Sequence, residues 1–349
     1  MRALSILLVL VTGLVFGLTS HARAQYNGSG QEGAMMQSSK GTFWVNGGYA
    51  LIKQMFDKDG NKVDAAMEIA QSIDLGPLGS PVVNISIPYT IHFIPVHVGG
   101  YYELYRKQAL GVQVGADLAF ASVTVKIDKE NMEIDASAVP EQLRAQVEAQ
   151  LRQGIRAGIP DEAKSGFTTQ GFMPFVRLAY NTFGLAVGYQ FDLGPKAEKM
   201  DETENSDRQD AFAFRLDGTY PVTPSLKLLG AFTGFITQEI EEDGVRMDDG
   251  DVFGAYVGGS YMFDPFELML VLRYRSQTKA RINGQEVPDT DGNSLNLGFA
   301  LSYHMANMPL TLSVKALGTR EYVDYALPLT GKNDLAMTAG LIFEAVYRF

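Results

Sequence analysis

The sequence contains no cysteine among its 349 residues, and it has only one tryptophan and four histidines. The lack of cysteine excludes a disulfide-stapled scaffold and a metal site with thiolate ligands. Basic residues are also scarce, since 29 lysines and arginines stand against 40 acids and give a net charge of −11. A nucleic-acid partner held through phosphate contacts is therefore not expected. We also expect no cofactor.

Long apolar runs are nearly absent. A membrane protein built from several helices needs several runs of about 20 apolar residues, and only Leu4 to Leu18 comes close. Arg2 precedes this run and Ala22-Arg23-Ala24 follows it, which is the pattern of a secretory signal peptide. A membrane anchor is the alternative. We predict a cleaved signal peptide over 1–24 and a periplasmic N-terminal segment over 25–40.

The remainder, 41–349, alternates apolar residues with polar or small ones. Such a period of two is typical of strands whose two faces meet different surroundings. The last segment shows it clearly, because Leu341, Phe343 and Tyr347 fall on one face. Twelve segments follow the pattern: 42–55, 91–107, 109–125, 169–180, 183–194, 210–221, 225–238, 252–263, 266–280, 293–306, 309–322 and 335–349.

The connections between these segments alternate strictly between short and long. Tight turns at one rim and long loops at the other are typical of a transmembrane β-barrel. A soluble β-sandwich, the alternative, has no reason to sort its loops in this way. Aromatic residues also cluster near the short turns, as in an interfacial girdle. We therefore predict an all-β, 12-stranded antiparallel up-and-down transmembrane barrel that spans a lipid bilayer.

The chain ends on the run from Gly340 to Phe349, in which aromatic residues alternate before a terminal phenylalanine. Together with the signal peptide and the twelve segments, this run resembles Gram-negative outer-membrane β-barrel proteins. The resemblance implies an outer-membrane location, and recognition of Tyr347 and Phe349 by the barrel-assembly machinery. It selects no single family among nucleoside channels, acidic-oligosaccharide porins and the outer-membrane phospholipase.

If the apolar faces meet lipid, the opposite faces line the lumen, where bases outnumber acids. Four of these charges lie near mid-depth: Asp117, Arg273, Arg275 and Lys315. Four more inward charges are Arg177, Arg215, Asp217 and Glu344. Rings of charge select solutes by sign, so we predict a passive channel for small hydrophilic solutes with a mild anion preference. The alternative is a barrel closed by buried ion pairs that acts through its loops, as an adhesin does.

Catalysis is the third hypothesis. After the signal peptide, the only histidines are His92, His97 and His304, and nothing matches the histidine-serine motif of the outer-membrane phospholipase. A nucleophilic hydrolase needs a base within hydrogen-bond reach of a hydroxyl. We therefore predict that the chain is not an enzyme, with an outer-membrane hydrolase as the remaining alternative.

Two loop segments are rich in aspartate and glycine. Carboxylates at alternate positions could bind Ca²⁺, whereas an Asp-Gly pair is also a common hairpin turn. The weak calcium candidates are Asp57, Asp59, Asp64, Asp289 and Asp291. Most of the acids of the chain lie in the long loops, and this distribution suits divalent-ion bridging to lipopolysaccharide.

The longest loop contains a helix signal over 140–157. Pro140 suits the first helical position, and Val139, Leu143, Val147 and Leu151 recur every four residues as one apolar stripe. This helix could constrict the mouth of the barrel, lie across it as a lid, or form a solvated cap on its own loop.

Overall fold

The computed structural model describes residues 40–56, 62–193, 210–242, 244–248, 250–287, 291–323 and 335–349. The predicted signal peptide and nearly all of the predicted periplasmic segment lie outside them. Within this part of the chain, one α-helix, α1, spans Glu141–Gly158 and a 3-10 turn spans Gly76–Leu78. No helix in the described ranges is long and apolar enough to cross a membrane.

Twelve strands of the described residues form the wall of a closed barrel. They are β1 (Gly41–Phe56), β2 (Val82–Lys107), β3 (Leu110–Ile127), β4 (Glu162–Tyr180), β5 (Phe183–Asp192), β6 (Ala211–Pro221), β7 (Leu226–Thr237), β8 (Val252–Phe263), β9 (Phe266–Gln277), β10 (Gly292–His304), β11 (Leu310–Val323) and β12 (Leu335–Arg348).

Each wall strand pairs antiparallel with the next strand along the chain, and β12 returns to pair with β1. The closing ladder runs from the pair Thr42 and Arg348 to the pair Phe56 and Leu335. At its end, the amide nitrogen of Gly41 lies 2.9 Å from the carbonyl oxygen of Phe349, and the reciprocal bond measures 3.0 Å. The predicted up-and-down, all-β barrel is confirmed.

Two strands begin earlier than the sequence analysis predicts. Strand β2 begins at Val82 rather than near 91, although proline inside a run argues against a strand. Pro88 is tolerated because it lies where β2 exchanges one neighbour, β1, for the short strand Ala66–Ser72. Strand β4 begins at Glu162 rather than near 169, because bulges opposite β3, with Gly166 at a φ of 70°, interrupt its alternation.

The turns and loops are sorted between two rims. At the short-turn rim, Gln108 and Asn181 adopt a φ of 51°, which lets two residues reverse the chain. The long-loop rim carries additional short strands, which are Lys62–Asp64, Ala66–Ser72, Glu133–Asp135, Ile240–Glu242, Val245–Asp248, Arg281–Ile282 and Gln285–Glu286. Strand β2 projects far beyond this rim, since its 26 residues exceed the roughly 9 to 11 that a membrane strand needs.

The outward face of the wall is apolar and the inward face is largely polar. Val257 points outward with 63% of its surface exposed, whereas the inward Arg177 and Asp217 are 4% and 2% exposed. Aromatic residues such as Tyr180 and Tyr220 are exposed beside the short turns. This inverts the usual soluble arrangement, and the β-sandwich alternative is wrong.

An apolar cluster, here called the outer core, lies above the barrel at the long-loop rim. It combines the alternate residues Val83 to Phe93 of β2 and Ala121 to Ile127 of β3 with the apolar stripe of α1. In β2 these positions continue without a break in alternation to His97 and Tyr101, which point into the lumen. The helix therefore lies on the lumen side of the projecting strands.

Candidate functional site

The barrel lumen collects the charged residues that the sequence analysis selected. Six of the eight candidates are buried against the inner wall: Asp117, Arg177, Arg215, Asp217, Lys315 and Glu344. The other two, Arg273 and Arg275, also point inward from β9 and are half-buried. Their role as a constriction stays a prediction, but all eight share the inner face.

One group of these residues forms a network across β3, β4, β6 and β8. Asp217 accepts hydrogen bonds from Nη2 of Arg177 at 2.8 Å and from Nε of Arg215 at 3.3 Å. Arg177 also donates to Oε1 of Gln113 at 3.0 Å, and Arg215 donates to the hydroxyl of Tyr256 at 2.8 Å. A buried charge is tolerated only when it is paired and hydrogen-bonded, so Asp217 holds two guanidinium groups that would otherwise be unstable there.

A glycine makes room for this network. A Cβ atom at Gly184 of β5 would lie 2.1 Å from Nη2 of Arg177. Any side chain at that position would displace the guanidinium from Asp217. Glycine here serves close approach across the inner wall rather than a turn.

Two further pairs lie around the lumen wall. Nζ of Lys315 lies 3.0 Å from Oε2 of Glu344, and both side chains are almost fully buried. On the other side of β12, across β1 to β3, Asp117 is 3.3 Å from Nδ1 of His97 and accepts a hydrogen bond of 3.3 Å from the indole nitrogen of Trp44. Neither His97 nor Trp44 was predicted to contact Asp117, because the position of a residue in the alternation does not reveal its cross-strand partner.

A polar cavity of about 640 Å³, which includes open solvent, lies in the lumen toward the short-turn rim. We call it the vestibule. Hydroxyl groups of β8, β10 and β11 line it, together with Lys227, Lys315, Arg348, Glu267 and Glu344. The vestibule thus has three bases, Lys227, Lys315 and Arg348, and two acids. Lys227 forms no hydrogen bond or ion pair with the residues that the structure describes, whereas Glu344 is paired with Lys315.

A hydroxyl, an imidazole and a carboxylate stand in line at the edge of the vestibule. Nδ1 of His304 lies 3.0 Å from Oγ1 of Thr311, and its Nε2 lies 3.1 Å from Oε2 of Glu267. Such a line resembles a nucleophile with its base. Here the backbone amides of β10 and β11 are committed to the sheet ladder, so they offer no oxyanion hole. Arg348 also donates to Oγ1 of Thr311 at 2.9 Å, and the group ties neighbouring strands together.

The lumen changes character along its length. On β2 the inward residues change from Phe93 in the outer core to the polar His97, and on β12 they change from Ile342 to Glu344. On the β12 to β3 side of the barrel, the upper lumen beneath α1 is therefore apolar, and the lower lumen is polar and contains the vestibule. On β9 the inward residues Arg273 and Arg275 are basic.

Helix α1 is attached to the loop that precedes it. Nζ of Lys129 donates to the carbonyl oxygen of Ile159 at 2.9 Å, and Arg152 donates to that of Met132 at 3.1 Å. Pro140 is the residue before the helix rather than its first residue, which corrects the sequence assignment by one position. The helix is more than a solvated cap packed on its own loop, because its apolar stripe also packs on β2 and β3.

Only two of the five calcium candidates lie among the described residues. Asp57, Asp59 and Asp289 lie outside the described residues, and Asp64 and Asp291 are exposed on separate connections. In the described ranges, no three potential ligands form a metal-binding group. Asp64 pairs with Gln54 across the connection 57–61, an arrangement that suits the turn interpretation.

The predicted assembly signal lies at the short-turn rim. Tyr347 and Phe349 both point outward and are exposed, with ring centroids 6.1 Å apart. An outward aromatic pair on the closing strand is accessible to another protein. Recognition by the barrel-assembly machinery stays a prediction.

Comparison with known proteins yields matches in structure only. No family model matches the sequence, and no curated protein matches it. An outer-membrane channel from Pseudomonas putida F1 is similar with a TM-score of 0.57 and 10% identity, over 90% of this chain and 97% of that chain. The Pseudomonas putida toluene transporter TodX matches with a TM-score of 0.41 and 11% identity, over 90% and 91% of the two chains.

The transport unit of the autotransporter AIDA-I from Escherichia coli matches with a TM-score of 0.42 and 11% identity, over 90% and 91%. At such low identity, the similarity to the Pseudomonas putida F1 channel extends to the fold alone. The fold is that of a closed, twelve-stranded outer-membrane β-barrel.

Proposed function

We propose that the chain is an outer-membrane channel for small hydrophilic solutes with a mild anion preference. The vestibule carries this proposal, because hydroxyl, lysine and arginine side chains line an open cavity inside the barrel. Twelve strands also enclose more space than side chains alone fill. The signal-peptide pattern, the apolar outer wall and the fold support the outer membrane as its location.

The sorting of the loops supports an orientation. In outer-membrane barrels the short turns face the periplasm and the long loops face outward. The vestibule would then open toward the periplasm, and α1 would cover the external mouth. A solute entering from outside would pass α1 and the apolar wall formed by β2, β3 and β12 before it reached the vestibule.

The excess of bases in the vestibule supports the anion preference. Lys227 is the most informative base, because it is half-buried beside the cavity and forms no ion pair among the described residues. A unit charge acts on an ion about 8 Å away with on the order of 1 kcal/mol when the effective dielectric constant is about 40. One lysine can therefore shift the selectivity of a narrow vestibule measurably.

Replacing Lys227 by Glu should reduce the ratio of anion to cation permeability several-fold. The measurement is the reversal potential under a salt gradient in planar bilayers. Arg281→Gln is the control, because Arg281 is exposed on the outer hairpin and should leave the ratio unchanged. If the wild type and Lys227→Glu have the same ratio of anion to cation permeability, neither Lys227 nor the vestibule determines the selectivity.

The channel itself is tested by conductance. Purified full-length protein in planar bilayers should give discrete current steps, and liposomes should swell with small charged solutes. Protein that is correctly folded by heat-dependent gel mobility but never conducts would contradict the proposal.

A second candidate function is a barrel that acts through its loops, and the buried network around Asp217 favours it. Neutralised charges that link β4 to β6 across β5 fill lumen space and stiffen the wall. Such a barrel would bind a surface partner through its loops and would conduct no ions, even after the loops are shortened. If the chain is instead a channel, the variant with shortened loops should still conduct.

A further inference from the structure

The outward face of β1 to β4 changes from apolar to polar near the long-loop rim. On β2 the outward side chains are apolar as far as Ile94, and beyond it come His92, Thr90 and Ser86. On β3 the apolar positions end at Phe120, and polar ones begin at Ser122. Ile94 pairs with Ser122, so the two strands change within one outward pair of each other. This line marks where hydrocarbon ends and lipid headgroups begin.

Three exposed lysines lie just above that line. Lys126 of β3 pairs in register with Thr90, and Lys164 of β4 pairs with Thr124. Neighbouring strands are about 4.8 Å apart, which places the Cα atoms of Lys126 and Lys164 within about 8 Å. Lys53, at a bulge in β1, is the third exposed lysine. We call these three residues the lysine patch.

The charge of Lys53 reaches the same region. The pKa of Asp128, just after β3, is lowered chiefly because Asn131 donates hydrogen bonds to its carboxylate, and the charge of Lys53 lowers it further. Lys164 is paired with Glu162 at 2.7 Å. Neither Lys53 nor Lys126 forms an ion pair within the described part of the chain.

The patch is confined to one side of the barrel. At the same rim, the ends of β6, β7 and β8 are followed or preceded by acids instead: Asp210, Glu239 and Asp251. The long loops are acidic as well, so a positive group at the headgroup line runs against the overall charge of this rim. Its partner should therefore be negative and should lie at the level of the headgroups.

We propose that the lysine patch binds the phosphate groups of lipopolysaccharide in the outer leaflet. The ammonium group of lysine is a compact charge that suits phosphate, and basic clusters beside a membrane recognise anionic headgroups. The long, flexible side chains can follow the headgroup while their stems lie along the apolar wall. This contact is direct, and it differs from bridging between acids and lipid phosphates by a divalent ion.

The test compares two lipid preparations on the full-length protein in detergent. Unfolding temperature is measured with lipopolysaccharide and with the same lipid after enzymatic removal of its phosphates, in the presence of a chelator. Wild-type protein should be stabilised more by the phosphorylated lipid. The triple variant K53Q/K126Q/K164Q should lose this difference.

A matched variant removes three exposed cations elsewhere. K40Q/K107Q/R281Q changes the net charge equally, but its residues lie at the short-turn rim and on the outer hairpin, so it should respond as the wild type does. Heat-dependent gel mobility verifies that each variant forms a closed barrel. The proposal is overturned if the lysine variant keeps the phosphate-dependent stabilisation, if the matched variant loses it equally, or if the wild type shows none once divalent ions are chelated.

Discussion

Replacing Asp217 by Asn is expected to destabilise the barrel by about 3–5 kcal/mol, because it leaves two buried guanidinium groups without their carboxylate. Arg177 and Arg215 both bind this carboxylate, and all three side chains are almost fully buried. The amide of asparagine keeps the shape of the side chain but not its charge. The measurement is the free energy of unfolding in urea, with the protein in lipid vesicles.

Two comparisons make this prediction specific. Glu286→Gln removes an exposed acid from the outer hairpin and should change stability by less than about 0.5 kcal/mol. The triple variant R177M/R215M/D217L removes the network as a unit and should recover most of the loss, since apolar replacement of a buried ion group is often neutral. A loss near zero in Asp217→Asn would show that water already reaches these arginines.

Replacing Val147 by Asp should detach α1 from the outer core and increase single-channel conductance several-fold. Val147 is the buried member of the apolar stripe of α1, and an unpaired carboxylate cannot remain in that core without a large penalty. If the helix covers the external mouth, its release exposes the upper lumen. Planar-bilayer recordings under identical salt measure the change.

Ala145→Asp is the matched control, because it adds the same charge two residues away on the exposed face of α1. Its conductance should equal that of the wild type. Equal conductance in Val147→Asp, with greater protease sensitivity of α1 as proof of its release, would show that the helix does not restrict the pore.

The period of two predicted the wall of the barrel well, since each side chain alternates between lipid and lumen regardless of its neighbours. It failed at particular residues. The projecting half of β2 was not predicted, because Pro88 argued against a strand there. A proline is excluded from a strand only where a backbone amide is needed as a donor, and Pro88 lies where none is needed. The bulges of β4 around Gly166 broke the alternation while the strand itself continued.

The candidate site was predictable as a face but not as a set of contacts. Alternation places Arg177 and Asp217 on the inner wall, yet they are 40 residues apart in sequence. They meet because Gly184 leaves room for the guanidinium group of Arg177 to reach across β5. The same limit hid the contact of Trp44 with Asp117, which are 73 residues apart. The spacing of apolar residues correctly predicted an apolar face on α1. It could not indicate that β2 projects far enough beyond the rim for this face to pack against it.

The pairing of β1 with β12 constrains the order in which this molecule can form. The first wall strand stays without one of its two neighbours until the last strand has been made and exported, because Gly41 and Phe349 are partners. Contacts between distant parts of a chain form slowly, and an unpaired strand edge invites association with other chains. Closure should therefore be the late, rate-limiting event of folding, and a chain shortened by its last strand should accumulate as an open sheet that aggregates.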